Sequence, residues 1–213
     1  MTMKLKIPFY ENKGDGNQCM QVSMKSVLKH FLGKDFSLRK LDNLTGRTKG
    51  KWTWTTQIVP VLYELGLEVK YFSKQDYWIF SNKASIRKLY GKSAGMAIKL
   101  TNMKSLKDSI NKMKRYDLFE KKKLSFKSIE NKIKNGNVPL MLIDWNKLNK
   151  INGLYQGHFV VVTGFNAKNV YYHESGPINP KPNKRVLKKD FISAWNANGT
   201  DNDVVIVSGR RSK

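Results

Sequence analysis

The chain has 213 residues, 40% of them hydrophobic and 11% aromatic, which is enough apolar material for one well-cored domain and too much for a disordered chain. Lys and Arg number 40 against 16 Asp and Glu, a formal charge of +24 whose field attracts nucleic acid, anionic lipid or an acidic polypeptide. One cysteine excludes an internal disulfide or a paired-Cys metal motif; no apolar run has the length of a membrane span or the character of a signal-peptide core, so the expected location is the cytoplasm.

Ile7-Pro8-Phe9-Tyr10 reads as a short extended segment, and Glu11-Asn12-Lys13-Gly14-Asp15-Gly16-Asn17 as a loop of turn-forming residues. From Gln18 to Leu32 the apolar residues Met20, Met24, Val27, Leu28 and Phe31 recur at helical spacing, with Gly33 placed as a C-terminal cap. Cys19 therefore falls in the first turn of a helix. Ser37 to Leu44 predicts a short helix, and Gln57 to Leu65 another, capped by Thr55 or Thr56 and stopped at Gly66, with Pro60 near its first turn. Trp52 and Trp54 read as packing residues. Leu67 to Phe72 alternates as a strand does, and the segments Ser81 to Tyr90 and Lys104 to Lys114 predict exposed amphipathic helices. Ser125 is placed to cap a lysine-rich helix that turns Ile129 and Ile133 inward and ends at Gly136.

Val138 to Asp144 reads as a buried strand. Gly157 to Phe165 and Val170 to Glu174 follow as two apolar runs joined by Asn166-Ala167-Lys168-Asn169, the pattern of a β-hairpin. Leu187 to Trp195 predicts a helix, and Val204 to Val207 the last strand. Helices dominate residues 1–136 and strands 137–213. That segregation predicts one α+β domain over 1–213, made of a helix-rich N-terminal lobe and an antiparallel-sheet C-terminal lobe.

The hairpin puts His158 at the start of one strand and Glu174 at the end of its neighbour, close enough for a carboxylate to hold an imidazole. Cys19 gives such a base a partner, because the positive end of a helix dipole and a protonated imidazole both favour the thiolate. His173 points to the opposite sheet face from Glu174 and reads as surface or packing. His30 lies in the last turn of the Cys19 helix, where a cation complements the dipole. No HExxH or paired-Cys spacing indicates a metal site, and no cofactor motif is present.

These residues carry a resemblance. Ile7-Pro8-Phe9-Tyr10 before a loop, Gln18-Cys19 opening a helix, the run Gly157 to Phe165 and the run Val170-Tyr171-Tyr172-His173-Glu174-Ser175-Gly176-Pro177 together resemble the papain-like cysteine peptidases, specifically the C39-like peptidase family. The resemblance implies the papain-like fold, with the site in the cleft between the lobes, and a cysteine peptidase or related thiol amide hydrolase acting on a peptide or polypeptide through an acyl-enzyme. By that likeness Cys19 is the nucleophile, His158 the general base and acid, and Glu174, where the family usually has Asp, the residue that orients the ring. The family also carries Cys-Gly and a glutamine about six residues before the cysteine, for the oxyanion; Met20 and Lys13 stand there in this chain. Asn12, Asn17 and Gln18 are the candidate replacements beside the Cys19 backbone N–H, Asn12 first. Two other readings stay open: a catalytically silent C39-like domain that binds peptides, and a basic protein whose function is its anionic or nucleic-acid partner.

Overall fold

A sheet of eight strands runs through both halves of the chain in the computed structural model, which describes residues 2–13, 15–80, 82–91 and 94–212. Gly14 of the predicted loop and Ser81 of a predicted helix lie outside the described residues. The strands are β1 (Met3–Lys4), β2 (Leu67–Ser73), β3 (Phe119–Lys121), β4 (Val138–Asp144), β5 (Gly157–Phe165), β6 (Asn169–Glu174), β7 (Lys181–Leu187) and β8 (Val204–Arg210). Their order across the sheet is β3-β2-β8-β4-β5-β6-β7, with β1 paired to the far end of β5. All pairings are antiparallel except that of β2 with β3.

Strand alternation divides the buried residues between two cores, as a sheet covered on both faces requires. Val69, Tyr71, Leu140, Phe159, Val161, Val205 and Val207 face one core, where they meet α1 (Cys19–Leu32), α2 (Leu38–Thr45), α3 (Thr55–Glu64), α4 (Lys83–Tyr90), α5 (Ala94–Lys99) and α6 (Met103–Arg115). Phe72, Met141, Ile143, Val160, Val162, Val204 and Ile206 face the other, closed by α7 (Phe126–Lys134), α8 (Trp145–Leu148) and α9 (Lys188–Trp195). The α+β character is as the sequence indicates. The helix-rich first half nevertheless supplies β1, β2 and β3, so one sheet crosses position 136. The reason is the final strand: β8 lies between β4 and β2 and hydrogen-bonds both.

Several elements differ from their predicted bounds. The third helix starts at Thr55, with Trp54 and not a threonine at its N-cap, because the Gln57 Oε1 accepts the Trp54 N–H at 2.8 Å while the Thr55 hydroxyl donates to Asp203 at 2.9 Å. Pro60 consequently sits in the middle of that helix, its ring removing one N–H from the ladder. At Gly164 a Cβ would come 2.9 Å from the Lys4 Cα, so only glycine lets β1 run alongside β5.

Candidate active site

The thiol is positioned by its own helix. Gln18 is the N-cap and Cys19 the first helical residue, while Gly33 ends the helix in the left-handed conformation at φ 69°. Ser23, one turn on, donates to the Cys19 carbonyl at 2.8 Å and its oxygen lies 3.5 Å from the Phe159 carbonyl, which ties the start of α1 to β5. Outside the helix the approach loop is anchored by charge. Gln18 donates from Nε2 to Asp42 Oδ2 at 2.7 Å, and Arg47, its side chain only 5% exposed, bridges Asp42 and Asp15. Nothing in the local sequence pattern announced Asp15, Asp42 or Arg47 as parts of this anchor.

Across from Cys19, β5 delivers His158, which is 7% exposed, and β6 delivers Glu174, which is fully buried. His158 Nε2 lies 2.7 Å from Glu174 Oε1. With Nε2 occupied, Nδ1 is the ring nitrogen left for the thiol, and Cys19 and His158 lie near enough for each to shift the other's titration. Burial pushes the Cys19 thiol up, but the His158 hydrogen bond and charge, with backbone N–H groups of Phe159 and Met20, outweigh it and hold the thiol below its ordinary value. Burial likewise pushes His158 down, and the hydrogen bonds and charges of Cys19 and Glu174 overcome this to leave the imidazole raised to about 9. Glu174 is also raised by burial and brought below the usual carboxylate range by His158, the Gly176 N–H and Lys184. The opposed shifts both favour a half-buried thiolate beside an imidazolium over a neutral thiol beside a neutral ring.

The other oxygen of Glu174 is held from outside the hairpin. Trp145 donates its Nε1–H to Oε2 at 3.2 Å, the Tyr172 hydroxyl is at 3.5 Å, and the Lys184 ammonium at 3.7 Å. Trp145 comes from α8, a single turn capped by Asp144, and Lys184 from the edge strand β7. Neither element was apparent from periodicity. Tyr155, also unforeseen, lies just ahead of His158 in a place two glycines make for it: a Cβ on Gly157 would come 2.6 Å from its hydroxyl, and one on Gly199 3.2 Å from its ring.

The oxyanion candidates fare differently from the dyad. Gln18 Nε2 gives one of its two N–H donors to Asp42 Oδ2 at 2.7 Å, which ties its amide to α2. Asn12, 4% exposed, donates from Nδ2 to the Gly16 carbonyl at 2.9 Å and from its backbone N–H to the Ser175 carbonyl at 2.7 Å, while its Oδ1 is buried with no partner among the described residues. Asn17, exposed, donates to the Asp15 carbonyl. Beside these amides stands the Cys19 backbone N–H, which a first helical position leaves free of intrahelical bonding.

The remaining histidines are structural. His173 donates from Nε2 to the Ile7 carbonyl at 3.0 Å and accepts the Asn183 N–H on Nδ1 at 3.2 Å, which fixes one neutral tautomer. Burial lowers its pKa, in keeping with that role. Burial also lowers His30, so Lys29, whose ammonium lies 3.3 Å from the Gly33 carbonyl, supplies the positive charge at the end of α1. Among the described residues no group of three or more His, Cys, Asp or Glu is arranged to hold a metal ion, and no helix is long and apolar enough to cross a membrane.

The fold is that of an α+β domain with the architecture of C39-like peptidases. A putative C39-like peptidase from Bacillus anthracis superposes over 100% of both chains with a TM-score of 0.58 at 13% identity. The peptidase domain of Streptococcus ComA, a bifunctional ABC transporter of a quorum-sensing pathway, matches 94% of this chain and 97% of its own with a TM-score of 0.50 at 16% identity. In sequence the chain belongs to the family described as guanylylate cyclase, whose profile matches residues 16–207. The likeness to C39-like peptidases is thus one of fold, and the family by sequence is a different one. No curated protein matches the chain.

Proposed function

We propose that this protein is a cysteine peptidase or related thiol amide hydrolase. Cys19 attacks the carbonyl carbon of a peptide or similar amide, His158 donates its proton to the departing amine, and water, deprotonated by the same ring, releases the acyl group from sulfur. Glu174 orients the ring and favours its protonated form. The observation that carries this reading is the 2.7 Å contact of His158 Nε2 with Glu174 Oε1, which leaves the other ring nitrogen for Cys19. Support for the chemistry comes from the opposed shifts of the two partners, the thiol held low and the imidazole raised to about 9.

The family's description supplies a second reading, the cyclisation of GTP. There the ribose 3′ oxygen attacks the α-phosphorus and pyrophosphate leaves, and the charge of +24 would draw the triphosphate in. The two readings part at the sulfur. Iodoacetamide should alkylate Cys19 rapidly below pH 7, His158→Ala should slow it, and Cys19→Ala should abolish cleavage of a peptide library followed by mass spectrometry. An unreactive thiol with an ordinary pKa near 8.5 would overturn the hydrolase reading. Formation of cyclic GMP undiminished by Cys19→Ala would put the cyclase in its place.

A further inference from the structure

Lys184 belongs to a largely exposed edge strand, where alternation puts it on the same face as Val186, opposite Tyr172, and a specific irregularity adjoins it directly. Tyr172 pairs with Lys184, but Glu174 pairs with Lys181 and not with residue 182, so β7 holds one extra residue opposite this stretch of β6. The extra residue takes a left-handed conformation at Asn183, φ 50°, which is the kind of bulge that re-aims neighbouring side chains beside a site. Asn183 is pinned there from two directions: its N–H donates to His173 Nδ1 at 3.2 Å, and its Oδ1 accepts the Thr163 hydroxyl at 2.8 Å. The bulge is thus built into the fold and fixes the backbone beside Lys184, whose ammonium reaches Asn149 Oδ1 at 3.1 Å and Glu174 Oε2 at 3.7 Å. Asn149 in turn donates to the Trp145 carbonyl at 2.8 Å, so the lysine is fastened to the same helical turn that places the Trp145 indole on Glu174.

We propose, resting on the hydrolase reading of this site, that Lys184 is a positioning residue that tunes the Cys19–His158 pair through Glu174. Two cations share one buried carboxylate. His158 holds Oε1 and Lys184 lies against Oε2, so the lysine offsets part of the negative charge that would otherwise hold the imidazolium proton. The proton that His158 must give to a leaving group is thereby released more readily than a lone Glu-His pair would allow. The other titratable groups facing the pair are Cys19 from α1 and Tyr172 from β6, with Tyr155 and Asp144 at the flank of β5. Lys184 is the cation that acts on Glu174 from outside the dyad.

The test is a pH titration of the His158 ring by NMR on the full chain, its signal assigned with His158→Ala. In the unmodified protein the midpoint should lie near 9. In Lys184→Met it should rise by roughly half a unit, about threefold in proton affinity, and Lys184→Arg should return it to the original value. Lys184→Gln, which keeps a polar group at this partly exposed position, is the second charge-removing variant and should behave as Lys184→Met. A midpoint unmoved in a folded, charge-free variant would overturn the role given to Lys184. A midpoint near 6.5 in the unmodified protein would instead strike at the Cys19–His158 pair itself, so the two failures are separable.

Discussion

Glu174 and Asp203 are both buried carboxylates, at 0% and 1% exposure, yet they respond to burial in opposite ways. Burial raises each, but His158, the Gly176 N–H and Lys184 bring Glu174 below the ordinary range. Asp203 lies at the foot of β8, and among the described residues no cation pairs with it. Asp201 adds to the penalty of burial, the hydroxyls of Thr55, Ser73 and Tyr71 compensate only in part, and the acid is raised to about 7. Among the described residues its Oδ1 lacks a hydrogen bond of good geometry. The same functional group in the same sheet is thus held toward the anion in one place and pushed toward the neutral acid in the other, and the partners decide which. Burial by itself does not make a carboxylate an ion holder.

Removing the first carboxylate should have the largest consequence. Glu174→Ala frees the His158 ring and withdraws the charge that favours imidazolium, so kcat/KM should fall roughly 10²-fold and the thiol of Cys19 should titrate at a higher pH. Stability should report the same interaction. The lowered Glu174 contributes stability that is present above about 4.5 and lost as the pH falls below it; the raised His158 contributes stability that is full below 6.5 and lost as the pH climbs toward about 9. Thermal melts of the unmodified protein should therefore plateau between those limits. In Glu174→Ala the plateau should be lost, and a variant that kept both plateau and rate would erase the contrast with Asp203.

Removing the second carboxylate should do the reverse. Because the folded pKa of Asp203 is raised from 3.8 to about 7, ionisation costs the native state stability as the pH rises through that interval, with the cost complete above it. Asp203→Asn cancels that cost and retains an acceptor for the Thr55 hydroxyl. Chemical denaturation at pH 8 should show a gain on the order of 2 kcal/mol, and at pH 4 little change. A loss at both pH values would mean that the ionised form has found a partner.

The same two carboxylates mark what the sequence reveals and what it hides. The β5–β6 hairpin is legible because its apolar runs have strand length and the Asn166–Asn169 loop is short, and the hairpin alone sets Glu174 next to His158. Cys19 is legible as a helix start from the spacing of Met20, Met24 and Val27. What holds Glu174 from behind is not. β7 is an edge strand carrying Pro182 and exposed lysines, with no buried face to impose alternation, so its sequence reads as loop. The single turn of α8 is too short to show a period, and the Asp15–Arg47–Asp42–Gln18 anchor joins residues whose proximity exists only once α1 and α2 pack. Asp203 falls in a turn where nothing local distinguishes a buried acid from a solvated one.

The smallest effect is expected at Asn12, where the structure and the family pattern pull apart. A side-chain oxyanion donor is worth about 2.7–4 kcal/mol, or 10²–10³-fold in rate. The Asn12 Nδ2 is already engaged with the Gly16 carbonyl, and that bond holds the loop leading to Cys19. Asn12→Ala should therefore lower stability by about 1 kcal/mol while changing kcat less than tenfold, since a loop contact is lost and no transition-state donor. A drop of 10²-fold or more in kcat with KM unchanged would show that the amide turns from Gly16 to the oxyanion once substrate binds, and the loop side of the cleft would then match the acid side as working machinery.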